Sequence, residues 1–104
     1  MLTREEYLSV LSEDGKQKPL VENIPSDVLL QVGSVFAFGA QKYSPTKWLD
    51  EPTTPKKRVG SALRHLYKFQ SGIDLDDESN LHHIDHAITQ LLMAKHYINK
   101  GIGV

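Results

Sequence analysis

The stretch at residues 74–101, D-L-D-D-E-S-N-L-H-H-I-D-H-A-I-T-Q-L-L-M-A-K-H-Y-I-N-K-G, decides the fold. Leu81, Ile84, Ile88, Leu91 and Leu92 recur three and four residues apart, the period of one face of an α-helix. The acidic run at 74–77 supplies caps and suits the positive end of the helix dipole. Lys100-Gly101 is a C-terminal stop signal. Working outward, Thr54-Pro55 reads as N-cap plus first residue of a second long helix. Its core stripe is Val59, Ala62, Leu63 and Leu66, and Ser71-Gly72 ends it. Ser26 caps an earlier long helix with Leu29, Val32, Phe36 and Ala40 on one face. That helix should end near Tyr43, because Ser44-Pro45 disfavours its continuation. Gly33 and Gly39 inside it cost about 1 kcal/mol each against Ala, which makes sense if a backbone or ligand comes close. Residues 44–54, with Pro45, Pro52 and the single Trp48, read as a loop.

Further upstream, Thr3 and Glu6 have capping-box spacing and Tyr7, Leu8 and Leu11 form a stripe, so a short helix over about 4–12 is expected. Asp14-Gly15 is turn chemistry, and residues 16–24 read as an irregular connection. No segment alternates with period two, and there is no repeat or low-complexity tract. The expectation is one all-α domain over residues 1–104, a small helical bundle of three main helices plus a short N-terminal helix.

Composition narrows the function. With 104 residues, 12 Lys+Arg and 13 Asp+Glu, the net charge is −1. No global basic field favours non-specific nucleic-acid binding. The charge is nevertheless split. Lys16, Lys18, Lys42, Lys47, Lys56, Lys57, Arg58 and Arg64 precede or lie in the middle helix, and Asp74, Asp76, Asp77 and Glu78 follow it. A basic half facing an acidic half suits a metal–polyphosphate ligand, although two solvated surfaces would give the same pattern. The absence of cysteine removes thiolate ligands, disulfides and cysteine nucleophiles. The N-terminus lacks signal-peptide character and no apolar run reaches the ~20 residues of a membrane span, so a cytoplasmic protein is expected.

Chemistry concentrates in E-S-N-L-H-H-I-D-H at 78–86, which holds three of the five histidines. Helical spacing sorts its polar residues into two stripes. Glu78, His82 and Asp85 would sit at the rim of the core. Ser79, His83, His86 and Gln90 would face solvent or a second subunit, and a buried site there needs a second wall, so a homo-oligomer is expected. Clustered imidazoles and carboxylates suit a divalent metal or acid–base work. His65 could face them from the preceding helix. Lys42 could hold phosphate as a point charge and Arg58 or Arg64 bidentately. Tyr43 or Trp48 could stack on a base. Against these stand ordinary roles: packed histidines, loop-anchoring aromatics, and arginines paired to the acidic run. There is no P-loop, dinucleotide fingerprint, H-E-x-x-H or nucleophile elbow.

Taken in order, D-G-K at 14–16, F-G-A-Q-K-Y ending at Tyr43, K-W at 47–48, Arg58, A-L-R-H at 62–65, and G-I-D-L-D-D-E-S-N-L-H-H-I-D-H-A at 72–87 resemble a known family. It is the phage and prophage family of dATP/dGTP diphosphohydrolase N-terminal domains. Its pattern runs G-A-x-K-Y, N-W, A-A-x-R-H, then G-E-x-x-D-x-E-S-G-L-x-H-x-x-H-A, and the likeness spans about residues 14–97. The resemblance implies an activity akin to the all-α, MazG-like nucleotide pyrophosphohydrolases, which cut a (d)NTP between the α- and β-phosphates with divalent metals. It carries over Gly39, Lys42, Tyr43, Trp48, Arg64, His65, Asp76, Glu78, Ser79, His83 and His86, and places His82 and Asp85 at variable positions. This chain departs at Ile73, where the family has Glu, and at Asn80, where it has Gly. The paired-carboxylate helix motifs of MazG proteins are also absent.

On this reading the substrate is a purine deoxynucleoside triphosphate. Asp76, Glu78, His83 and His86 would hold Mg²⁺ or Mn²⁺, with Mn²⁺ favoured by imidazole ligands. His65 and Glu78 would be catalytic, and Lys42, Tyr43, Trp48, Arg58 and Arg64 would bind substrate. Two rivals are a non-catalytic nucleotide-binding or anti-defence interaction module, favoured by Ile73, and an HD-type phosphohydrolase, suggested by H-H-I-D-H and A-L-R-H.

Overall fold

A computed structural model describes residues 3–5 and 19–103. Most of the expected N-terminal helix and the D-G-K turn lie outside them, although Arg4 and Glu5 are helical. A 3₁₀ turn, Val21–Asn23, leads into α1, Ser26–Lys42. A four-residue helix follows, α2, Lys47–Asp50, then α3, Pro55–Gln70, and α4, His83–Asn99. The described residues hold no β-strand, only an isolated bridge between Leu75 and His82. The protein is all-α, as the hydrophobic periodicity requires.

Local signals explain most boundaries. Thr54 Oγ1 accepts from Lys57 N–H at 3.2 Å, capping α3 with Pro55 at its start. Gly72 at φ 92 ends it, a conformation that favours glycine. The loop expected at 44–54 contains α2, which carries Trp48. α3 and α4 pack together along their length as an antiparallel pair, and α1 lies across α4.

Two expectations need correction. The third long helix begins at His83 rather than beside the acidic run, with His82 as N-cap, its Nδ1 accepting from Ile84 N–H at 3.0 Å. The stretch 74–82 is a tight turn instead. The two helix faces are also exchanged. His83 and His86, expected to face solvent or a second subunit, are buried, as are Ala87, Thr89, Met93, Ala94 and Tyr97. Leu91 and Leu92, expected in the core, are 45 % and 49 % exposed. Leu29, Val59 and Leu63 are exposed as well, while Val32 and Ala62 are buried as expected. Periodicity identifies an apolar face but not what covers it, and here α1 and α3 cover the histidine face.

Candidate functional site

The turn at 74–82 is built by its own polar atoms. The Asp76 carboxylate accepts the Ser79 N–H at 2.8 Å, and the Ser79 hydroxyl accepts the Leu81 N–H at 3.2 Å. Asp76 N–H donates to Leu81 O and His83 N–H to Asp74 O, each at 2.8 Å. Asn80 closes the turn at φ 59. Its left-handed conformation explains the departure from the family's glycine, since asparagine is among the few other residues that visit that region readily. The turn thus sets the Asp76 carboxylate against the first residues of α4.

His65 from α3 completes the cluster. Its Nδ1 lies 2.8 Å from His83 Nδ1, and its ring stacks on His86 at 4.5 Å between centroids and 9° between planes. The ligating atoms of His65, Asp76 and His83 all lie within 4.8 Å of one another, the one such group among the described residues. His86 Nε2 lies 2.6 Å from the Ser79 hydroxyl and 3.8 Å from the Asp76 carboxylate.

Protonation follows from the burial. Desolvation, reinforced by His86 and His83, pushes His65 down to about 4. Desolvation also lowers His86, outweighing the pull of Asp76, so the 3.8 Å contact is not an ion pair at neutral pH. Burial would raise Asp76, but the Ser79 N–H and hydroxyl overcome it and hold the carboxyl below its ordinary value. The result is an ionised Asp76 carboxylate beside neutral His65 and His86 rings, the forms that bind metal. The donor set of two nitrogens and an oxygen fits a divalent cation, with imidazole favouring Mn²⁺ over Mg²⁺.

A groove of about 450 Å³ opens beside this cluster, a size typical of small-molecule sites. Of the expected substrate residues, Lys42, Tyr43, Trp48 and Arg58 line it, and Arg64 does not. Arg64 is exposed, with its guanidinium folded back over Gly60. Among the expected metal and catalytic residues, His65, Asp76, Glu78 and His86 line the groove, while His83 lies behind at 1 % exposure. Glu78 stands apart from the metal-type group. Its Oε1 pairs with Lys42 Nζ at 2.5 Å, a contact that raises the Lys42 pKa. Gly39 also lines the groove, with open space where a Cβ would sit, so no close backbone approach accounts for it.

Behind the far end of the groove sits a residue that sequence did not single out, the buried Tyr97. Arg58 donates to Gln90 Oε1 at 3.3 Å and to the Tyr97 hydroxyl at 3.2 Å. The Tyr97 hydroxyl donates to the Trp48 carbonyl at 2.5 Å. Tyr97 is fully buried and lies on the α4 face that the sequence places toward the histidine side, but nothing in the sequence announces its partners. No carboxylate pairs with Arg58 among the described residues.

The sequence profile described as dATP/dGTP diphosphohydrolase, N-terminal, matches residues 11–104. A protein of Salmonella phage PMBT28 named dATP/dGTP diphosphohydrolase is 32 % identical over 62 residues, covering 60 % of this chain and 21 % of that relative. The chain therefore corresponds to about a fifth of the relative's length. No solved structure matches. The profile spans the turn, the histidine cluster and the groove together, and the chain belongs to the dATP/dGTP diphosphohydrolase N-terminal family.

Proposed function

We propose that the groove binds a purine deoxynucleoside triphosphate with a divalent metal and hydrolyses it to monophosphate and pyrophosphate. The observation that carries this is an imidazole and carboxylate cluster at one end of a groove edged by Lys42, Lys47 and Arg58, the last with no carboxylate partner among the described residues. The name of the phage relative agrees with it. His65, Asp76 and His83 would hold the metal, with His86 oriented beside them by Ser79. When bound, the cation supplies charge neutralisation on the phosphates and a more acidic water. Water oxygen attacks the α-phosphorus, the bond from it to the α,β-bridging oxygen breaks, and pyrophosphate leaves. Lys42 turns from Glu78 to the phosphates, which frees the Glu78 carboxylate to take the water proton.

The experiment incubates the protein with each of the eight common (d)NTPs and Mn²⁺ or Mg²⁺ and resolves products by ion exchange. A monophosphate with pyrophosphate from a purine dNTP is the expected result. Release of phosphate or tripolyphosphate instead would indicate HD-type chemistry. Ile73, 52 % exposed where the family has Glu, favours one other reading, a module that binds nucleotide without turnover. Intact nucleotides with stoichiometric binding would establish it.

The proposal extends to self-association. On α3 and α4 the groove residues Arg58, His65, His86 and Met93 fall on one flank of the helix pair, by the 100° turn per residue of a helix. Val59, Leu63 and Tyr67 on α3, with Leu91 and Ile98 on α4, fall on the other and are 39–67 % exposed. α4 thus carries an apolar flank, Leu91 and Ile98, apart from its buried histidine face, and an apolar helix face is one that another element covers. Paired helices of 16 and 17 residues offer a face ~25 Å long, on the scale of the roughly 800 Å² per partner of a standard interface. A second copy is the occupant we assign.

A further inference from the structure

Three lysine or arginine side chains line the groove, and two of them already have an acid partner. Lys42 pairs with Glu78 at 2.5 Å, and Lys47 pairs with Glu51 at 3.8 Å while lying over the Tyr43 ring. Arg58 has no carboxylate partner among the described residues. Its terminal nitrogens donate to two neutral oxygens, Gln90 Oε1 and the Tyr97 hydroxyl, and its Nε is buried without a partner. A guanidinium carries five N–H donors, so one hydrogen on each terminal nitrogen is left over. The bonds to Gln90 and Tyr97 therefore fix the fork in place without answering its charge. A half-buried cation with no counter-charge is costly, and an anion that meets it gains charge-assisted hydrogen bonds.

The place of Arg58 in the groove selects among anions. Gln90 follows His86 by one turn of α4, about 6 Å along the axis, and its bond holds the guanidinium near that level. On α3, Arg58 lies two turns from His65 on the same side, about 10.5 Å. The helices are antiparallel, so both displacements run from the metal-type cluster toward Trp48. With the α-phosphate at the cluster, the guanidinium stands further along, where a triphosphate brings its last phosphate and a diphosphate falls short. That phosphate is the most highly charged of the three, and its oxygens match a two-pronged donor. Phe36 and Trp48 line the same end, their rings 5.8 Å apart. A base stacked on them is neutral and would leave the guanidinium charge unanswered. The nucleoside then extends the other way, toward Lys42 and the exposed Tyr43.

We infer that Arg58, held by Gln90 and Tyr97, is a specificity-determining residue that receives the terminal phosphate and selects nucleoside triphosphates over diphosphates. The inference rests on the nucleoside triphosphate reading of the groove, and its test does not need turnover. Binding of α,β-methylene dGTP and α,β-methylene dGDP is measured by calorimetry in Mn²⁺, with the parent protein and with Arg58→Gln. The parent should prefer the triphosphate. Arg58→Gln should lower that preference by roughly 10- to 150-fold, the scale of hydrogen bonds to a charged group, and leave diphosphate affinity nearly unchanged. Circular dichroism and Mn²⁺ binding check that the variant remains folded. The γ-methyl ester of the triphosphate analogue probes the same contact in the parent, without any substitution, and should bind more weakly than the free triphosphate. Equal binding of triphosphate and diphosphate by the parent would overturn the inference. So would an undiminished preference in folded Arg58→Gln, or equal binding of ester and free triphosphate. Each of these leaves the nucleotide reading standing, whereas no binding of any of the three ligands would overturn both.

Discussion

At the scale of single residues, the buried imidazoles make the fold sensitive to acid. His65 is held at about 4 in the folded chain against about 6.5 when unfolded, and His86 is also lowered. Between those values the unfolded chain binds more protons, so stability is complete above pH 6.5 and declines as pH falls toward 4. The melting temperature of metal-free protein should therefore drop from pH 7 to pH 5. His65→Asn, similar in shape but uncharged, should flatten that slope, and an unchanged slope would assign the acid sensitivity elsewhere. Asn80 gives a second expectation. Asn80→Gly should be tolerated within about 0.5 kcal/mol, because glycine is at ease at φ 59. Asn80→Ala should cost about 1–2 kcal/mol in urea unfolding, since alanine meets the full left-handed penalty.

At the scale of elements, Tyr97 ties three of them together. Its hydroxyl bonds Arg58 of α3 and the Trp48 carbonyl of α2 from its own place on α4. Tyr97→Phe keeps the ring but leaves a buried carbonyl and a guanidinium short of partners, so it should destabilise by about 1–3 kcal/mol in chemical unfolding. A smaller loss than 0.5 kcal/mol would mean that water replaces the hydroxyl. These elements were unequally legible. Thr54-Pro55, Ser71-Gly72 and Lys100-Gly101 fixed helix ends because capping and stop chemistry are local. His82 and the turn before it were missed because the acidic run looks like a helix start, while its carboxylates and amides satisfy one another in a turn. The family's motif named Asp76 and His83 of the His65, Asp76 and His83 group as ligands, but it gave His65 a catalytic role and counted Glu78 among the ligands, and Glu78 stands apart from the group. Tyr97 was not legible, because its meaning lies in partners 39 and 49 residues away.

At the scale of the whole molecule, the histidine flank of the α3–α4 pair is covered by α1, and among the described residues nothing covers the apolar side chains of the opposite flank. Placing a charge on that uncovered flank tests the second-copy proposal. Leu91→Glu should convert the assembly to a monomer in sedimentation velocity while far-ultraviolet circular dichroism is retained, since Leu91 is 45 % exposed within one chain. A parent protein that sediments as a monomer at all concentrations would end the proposal. The lone tryptophan adds a practical consequence at this scale. Trp48 lines the groove and lies within 6.0 Å, centroid to centroid, of Phe36, His96 and Tyr97. With a single indole in the chain, its emission comes from one known place. The molecule carries an intrinsic optical gauge of whether its cleft is full, and a titration followed at that wavelength needs no dye, label or product assay.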